Sequence, residues 1–94
     1  MEQAWRKVAF GTGTVTFLDD TRKEDMLQVE YPNGFLLDMG WYQNRYIISI
    51  IQNFDWAHPV KQYETAEENQ LPALLTKAVR FVEKESRTAG LEKS

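Results

Sequence analysis

The stretch FLLDMGWYQNRYIISII, residues Phe35–Ile51, decides the fold of this chain. It holds two runs of β-branched and aromatic residues, Phe35–Tyr42 and Arg45–Ile51, with polar Gln43 and Asn44 between them. Two such runs around a short polar turn predict a β-hairpin. The apolar side chains of the second run are Ile47 and Ile51 on one face and Tyr46, Ile48 and Ile50 on the other. Because a strand that is apolar on both faces is usually covered on both, we expect this hairpin to be the centre of a sheet.

Four further segments have the composition or the alternation of strands. They are Trp5–Phe10, Thr14–Leu18, Met26–Tyr31 and Val60–Tyr63. In the second of them Val15 and Phe17 alternate with threonines, so we expect both apolar side chains to point inward. The turn signal Pro32-Asn-Gly34 leads into the hairpin, because proline presets φ and Asn-Gly accepts positive φ. Short turns between successive strands favour an antiparallel meander.

An apolar stripe of helical period predicts one C-terminal helix. The stripe consists of Leu71, Leu74, Leu75, Ala78, Phe81 and Val82. Two starts are open, both between Thr65 and Leu71. Thr65 and Glu68 match a capping box, whereas a start near Asn69 places Pro72 in the first turn, where proline is tolerated. We expect the helix to fray around residues 87–90.

These elements predict an α+β fold, an antiparallel β-meander of about five strands with one C-terminal α-helix packed across one face. With 94 residues, the chain is expected to form a single domain over residues 1–90, with residues 91–94 as a flexible tail. One helix covers only one side of the hairpin. The other side needs a cover from the N-terminal segment, from curling of the sheet, or from a second copy. We therefore expect a homodimer or a partner protein at that face.

Composition restricts the setting and the ligands. The chain has no cysteine, which removes disulfides and thiolate chemistry. It also lacks a signal-peptide pattern and any run of about 18 apolar residues, so we expect a cytoplasmic protein of a prokaryote or its phage, without membrane contact. The net charge of −3 disfavours nucleic acid, whose binding depends on clustered Lys and Arg. We expect no cofactor and no metal site, since the single histidine has no second one at ligand spacing.

One acidic residue lies inside the apolar hairpin. Asp38 falls between Leu37 and Met39, and burying an unpaired carboxylate is costly. In one interpretation it faces solvent or accepts a hydrogen bond from Arg45 or a neighbouring Trp or Tyr. In the other it is a tuned acid or a ligand anchor, in a pocket that also holds His58 and Tyr63.

Aromatic residues in and after the hairpin are candidates for contacting a partner. They are Trp41, Tyr42, Tyr46 and Trp56. Trp and Tyr anchors near an Arg suit a protein–protein hot spot, and the alternative is that they pack in the core. We favour a small non-catalytic protein-binding domain of inhibitor, immunity or adaptor type. The alternatives are a small enzyme or ligand-binding domain built around Asp38, His58 and Tyr63, and a nucleic-acid-binding β module, whose stacking aromatics would need a basic surround.

Overall fold

The computed structural model describes Trp5, residues 8–19 and residues 25–92, with residues 86–92 as backbone alone. Its strands are β1 (Thr14–Leu18), β2 (Leu27–Glu30), β3 (Phe35–Tyr42), β4 (Arg45–Gln52) and β5 (Lys61–Thr65). They form one sheet in the order β1-β2-β3-β4-β5, in which every neighbouring pair is antiparallel. A 3₁₀ turn (Glu68–Gln70) then leads into the helix α1 (Leu71–Glu92), which packs on the sheet. The predicted α+β meander is confirmed.

The hairpin of β3 and β4 is the centre of this sheet. Its pairing is continuous from Phe35 opposite Gln52 to Tyr42 opposite Arg45. Gln43 and Asn44 form the two-residue turn, and both have left-handed backbones, with φ of 49° and 65°. Such turns match the right-handed twist of the strands they join. The tight turn therefore fixes the register of the two central strands.

The main core lies between the sheet and α1. Its largest part comes from alternate residues of the central strands and from the apolar stripe of the helix. These residues are Val29, Leu37, Met39, Tyr46, Ile48, Ile50, Leu71, Leu75, Ala78 and Val82. Because side chains alternate along a strand, the same strands present a second set of residues on the face opposite α1. We call this opposite surface the far face.

The described part of the N-terminal segment, Trp5 and residues 8–10, is not a strand, so the prediction of a strand was wrong for these residues. Trp5 lies in a 3₁₀ turn, and residues 8–10 have no regular secondary structure. The N–H of Val8 donates to the carbonyl of Trp5 at 3.4 Å, which turns the chain here. Trp5 is buried in the core beside α1, and Val8 and Phe10 pack against the same cluster. Apolar packing, not strand pairing, therefore holds this segment.

β1 departs from the simple alternation expected of it. Val15 pairs with Val29 and Phe17 with Gln28, so Thr16 is an extra residue, a β-bulge. A bulge shifts the side chains beyond it to the other face of the strand. Val15 therefore lies on the α1 side and Phe17 on the far face, and both are exposed. The expectation that both point inward was wrong.

Of the two helix starts that the sequence left open, the structure agrees with the later one, which places Pro72 in the first turn. α1 begins at Leu71, so Pro72 lies in its first turn, where its missing N–H costs no hydrogen bond. Thr65 ends β5 and does not cap the helix. Its hydroxyl accepts a hydrogen bond from the N–H of Glu67 at 3.0 Å and donates to Oε1 of Gln70 at 2.8 Å. This hydroxyl orders the connection between sheet and helix.

The C-terminal end of α1 extends past the point expected from the sequence. The backbone is helical to Glu92, beyond residues 87–90, where we expected it to fray. Residues 93 and 94 of the expected tail lie outside the described residues. Among the helices of the described chain, none is long and apolar enough to cross a membrane.

Candidate functional site

The far face is largely buried at its centre. On β3 and β4 it consists of Leu36, Asp38, Gly40, Tyr42, Arg45, Ile47, Ser49 and Ile51. Leu36 and Ile51 are buried, although α1 lies on the other side of the sheet. The described part of the N-terminal segment does not cover them, because Trp5 packs on the α1 side. The loop of residues 53–60, between β4 and β5, borders the far face instead.

A cavity of about 640 Å³ lies on the far face. The strands contribute Asp38, Ile47, Ser49 and Ile51 to its lining, and the loop 53–60 contributes Trp56 and Pro59. Its volume is within the range of sites that hold a small molecule or a partner's side chain, about 300–1,000 Å³. The sheet and the loop together thus form a concave surface with both polar and apolar lining.

A row of polar side chains crosses the far face through this cavity. Gln28, Asp38, Ser49 and Gln62 are directly paired across β2, β3, β4 and β5. Directly opposite residues share one face of a sheet. Nε2 of Gln28 donates to Oδ1 of Asp38 at 3.5 Å, and Nε2 of Gln62 donates to Oγ of Ser49 at 3.0 Å. The row places several hydrogen-bonding groups side by side in an otherwise apolar part of the sheet.

Asp38 is the acidic member of this row. Only 6 % of its surface is exposed, and among the described residues its carboxylate accepts one hydrogen bond, from Nε2 of Gln28 at 3.5 Å. The pKa of Asp38 is raised to about 6, mainly by burial and also by the negative charge of Asp25, while the hydrogen bond from Gln28 opposes the rise. From the sequence, one interpretation was that Asp38 accepts a hydrogen bond from Arg45 or from a nearby Trp or Tyr. Asp38 does accept a hydrogen bond, but the donor is Gln28.

An ion pair lies at the rim of the cavity. Nη1 of Arg45 is 3.3 Å from Oε1 of Glu64, and both side chains are about half exposed or more. Exposed pairs of this kind contribute about 0–1 kcal/mol, because water screens them. The pair consequently matters more for the charge of the rim than for stability.

The loop 53–60 exposes large apolar side chains beside the cavity. Phe54 is 72 % exposed and Trp56 is 50 % exposed. Asn53 and Phe54 both have left-handed backbones, with φ of 53° and 61°. Asn adopts this conformation readily, whereas a bulky residue such as Phe does so rarely. The loop therefore holds Phe54 in a strained conformation with its ring in solvent.

The predicted aromatic contacts divide between the two faces of the sheet. Tyr42 and Trp56 line the cavity. Trp41 and Tyr46 instead lie on the α1 side, where their rings meet edge to face with centroids 4.6 Å apart. Tyr46 is buried, and its hydroxyl donates to Oε1 of Glu68 at 3.0 Å. The expectation that Tyr46 borders the partner face thus needs correction, since strand alternation turns it towards the helix.

The pocket expected from Asp38, His58 and Tyr63 does not form. Asp38 lines the cavity, but Tyr63 pairs with Ile48 on the α1 side of the sheet. His58 lies in the loop 53–60, where Nδ1 is 3.2 Å from Oδ1 of Asp55 and the imidazole is largely exposed. The three side chains are therefore separated, and Asp38 alone belongs to the cavity.

Four polar residues of the site were not predicted. They are Asp25, Gln28, Ser49 and Gln62, which line the cavity or belong to its polar row. Gln28 and Gln62 look like ordinary solvent-facing residues of amphipathic strands. Their alignment follows from the register of four strands, and the only signal in the sequence is the polar Asp38 and Ser49 within otherwise apolar runs.

Neither a metal-binding cluster among the described residues nor a similar known protein identifies the function of the site. Over residues 25–85 and the other described side chains, no three His, Asp or Glu residues come close enough together to hold a metal ion. Comparisons with protein-family models, with curated proteins and with solved structures found no match for the chain.

Proposed function

We propose that this chain is a non-catalytic protein-binding domain, and that its recognition surface is the cavity on the far face together with the loop 53–60. The observation that carries the proposal is Phe54, an exposed aromatic residue in a left-handed backbone. Such a conformation costs on the order of 1 kcal/mol or more for a bulky residue. Because 72 % of its surface stays exposed, Phe54 gains little packing in return, which supports a role outside the folding of the chain.

Trp56 adds a second exposed aromatic group to the same loop. Interface hot spots are enriched in Trp, Tyr and Arg and cluster around concave pockets. Here Trp56, Tyr42 and Arg45 all line one cavity. This combination favours a partner protein that inserts a side chain into the cavity and rests on the loop. An inhibitor, immunity or adaptor role would each use such a surface.

The test begins with affinity capture from the native host by the full chain, followed by purification of the captured protein and calorimetric measurement of its Kd. Phe54→Ala and Trp56→Ala are each expected to weaken binding by at least about tenfold, which corresponds to about 1.4 kcal/mol. Leu18→Ala is the matched control, because Leu18 is an exposed apolar residue on the α1 side of β1. It should leave Kd unchanged.

The proposal fails if both loop variants bind the purified partner with the affinity of the wild type. A second copy of the chain is one form of partner that needs its own measurement. Light scattering between about 1 and 100 μM detects it, because self-association raises the apparent mass with concentration. Self-association that Trp56→Ala abolishes and Leu18→Ala preserves would identify the partner as this chain.

A second candidate function is a small ligand-binding domain or enzyme that uses Asp38 as an acid or base. The position of Asp38 in the cavity and its raised pKa of about 6 support it. The two functions differ in their response to Asp38→Asn. An acid–base site would lose turnover altogether, whereas a binding surface would lose affinity for particular partners only. Glu67→Gln is the control, because Glu67 is exposed and lies outside both the cavity lining and the loop 53–60.

A further inference from the structure

The chemistry of the cavity indicates what kind of group it receives. Its innermost charged residue is Asp38, which lies on the central strand β3 with 6 % of its surface exposed. Among the described residues its carboxylate accepts one hydrogen bond, at 3.5 Å, which is at the outer limit for such a bond. A buried carboxylate is normally bonded by several donors or paired with a cation. Asp38 therefore lines the cavity with unused capacity to accept hydrogen bonds.

The other charged groups that the structure describes around the cavity leave it negative. The described lining contains Asp25, Asp38 and Glu64 as acids and Arg45 as the one base. Arg45 is already paired with Glu64 at the rim, 3.3 Å away. Asp25 acts on Asp38 as a like charge. The described charges thus favour a positively charged occupant.

The aromatic part of the lining favours an organic cation. Trp56 and Tyr42 line the same cavity as Asp38, and the faces of Trp and Tyr rings attract cations within about 6 Å. A bare metal ion fits less well, because the described carboxylates do not converge in a group of three. A volume of about 640 Å³ also leaves room for the end of a long side chain.

The neutral polar residues select among organic cations. Gln28 and Gln62 each use the amide nitrogen as a donor, to Asp38 and Ser49 respectively. Gln62 lines the cavity, so its carbonyl oxygen remains there as an acceptor, whereas Gln28 lies outside the lining and acts only by bonding Asp38. A guanidinium carries five N–H donors in one plane, and it both bonds carboxylates and stacks on aromatic rings. It uses a carboxylate, an amide oxygen and an aromatic wall together, whereas an ammonium uses fewer of them.

We propose that the cavity on the far face is a recognition site for a guanidinium group, supplied by an arginine side chain of the partner protein and bound by Asp38 with Trp56 beside it. This inference rests on the proposed protein-binding function and specifies the partner's anchoring residue. The partner is therefore a protein that exposes an arginine on a convex segment able to enter the cavity. The mixed, mildly acidic lining matches a basic segment of that partner.

The test is an NMR titration of the ¹⁵N-labelled full chain at pH 7.5 with N-acetyl-arginine methylamide. The expected amide shifts concentrate at Asp38, Ser49 and Gln62 and in the loop 53–60. The matched citrulline compound has the same shape without the charge, and it should bind at least about tenfold more weakly. The lysine compound should fall between the two, because an ammonium uses fewer of the acceptors.

Protein variants separate this site from general attraction by negative charge. Asp38→Asn keeps the shape of the side chain, and it should weaken binding of the arginine compound at least about tenfold. Glu67→Gln is the control, because it removes one negative charge at an exposed position outside the cavity lining. It should leave the titration unchanged. Trp56→Leu should weaken binding by several-fold through loss of the aromatic wall.

Three results would overturn the inference. They are equal binding of the arginine and citrulline compounds, equal binding by wild type and a folded Asp38→Asn variant, and shifts confined to residues outside the cavity. Any of these can occur while Phe54→Ala still abolishes binding of the partner protein, in which case the binding function stands and its arginine anchor does not. Tighter binding of the lysine compound would replace guanidinium by ammonium and likewise reject the proposal as stated.

Discussion

Replacing Asp38 with asparagine should make the protein more stable above neutral pH. The pKa of Asp38 rises from 3.8 to about 6 on folding, so the folded state holds this proton more tightly than the unfolded state does. Where the folded state binds more protons, the free energy of unfolding decreases as pH rises. The penalty therefore develops between about pH 4 and pH 6 and is complete above that range.

The size of the effect follows from the same two values. A difference of about two pH units at about 1.4 kcal/mol per unit gives an upper limit near 3 kcal/mol. Water in the open cavity screens the charge, so we expect Asp38→Asn to stabilise the fold by about 1–2 kcal/mol at pH 8. At pH 4.5 the wild-type carboxyl is protonated in the folded state but still mostly ionised in the unfolded state, so the advantage of the variant should fall to about a third of its value at pH 8.

Urea denaturation followed by tryptophan fluorescence at pH 4.5, 6 and 8 measures this difference directly. Glu67→Gln serves as the control for the loss of one negative charge, and it should show no comparable dependence on pH. A destabilised Asp38→Asn variant at pH 8 would refute the reasoning. That result would mean that the carboxylate is held by strong donors or by a cation in the free protein.

Three further predictions concern binding, the loop and the core. The arginine compound should bind more weakly as pH falls below about 6, because Asp38 takes up a proton. NMR titrations at pH 5 and pH 7.5 measure this dependence. Because Asp25, Arg45 and Glu64 also line the cavity, a control is needed to assign the effect to Asp38. The Asp38→Asn variant should abolish the dependence on pH. Phe54→Gly should relieve the strain of the left-handed backbone, so its free energy of unfolding in urea should stay within about 1 kcal/mol of the wild type. The same variant should still weaken partner binding. A loss of unfolding free energy well above about 2 kcal/mol would contradict this, because it would show that the ring packs. Ile50→Ala should destabilise the fold by about 2–5 kcal/mol in the same assay, because Ile50 is fully buried, and a cost below 1 kcal/mol would contradict the described core.

The sequence predicted the elements whose signals are local. The hairpin at Phe35–Ile51 follows from two β-rich runs around Gln43 and Asn44, and α1 follows from a stripe of period 3.6. Pro72 offered the later of the two helix starts that the sequence left open, because proline is tolerated in the first turn of a helix. These features depend on neighbouring residues, so they could be derived without knowledge of the whole fold.

Other features depend on pairing between distant residues and could not be derived in this way. The bulge at Thr16 is set by the match of β1 to β2, and it reversed the expected direction of Phe17. Trp5 is a residue type that is common in strands. It lies instead in a 3₁₀ turn, with its side chain buried in the core. Local sequence therefore gave no signal for either result.

The sequence indicated three residues that line the candidate site, namely Asp38, Tyr42 and Trp56. Asp38 stands out because an acid within an apolar strand needs an explanation. Tyr46 was assigned to the partner face because both faces of β4 are apolar, and only the docked helix distinguishes them. Gln28 and Gln62 join Asp38 through strand register.

The binding face itself can be tested most directly by NMR mapping of the ¹⁵N-labelled chain in complex with the purified partner. We predict amide perturbations at Asp38, Ser49 and Gln62 and through residues 53–60, with the exposed side of α1 unchanged. Perturbations confined to α1, with those far-face amides unmoved, would contradict the assignment of the cavity and the loop 53–60 as the recognition surface.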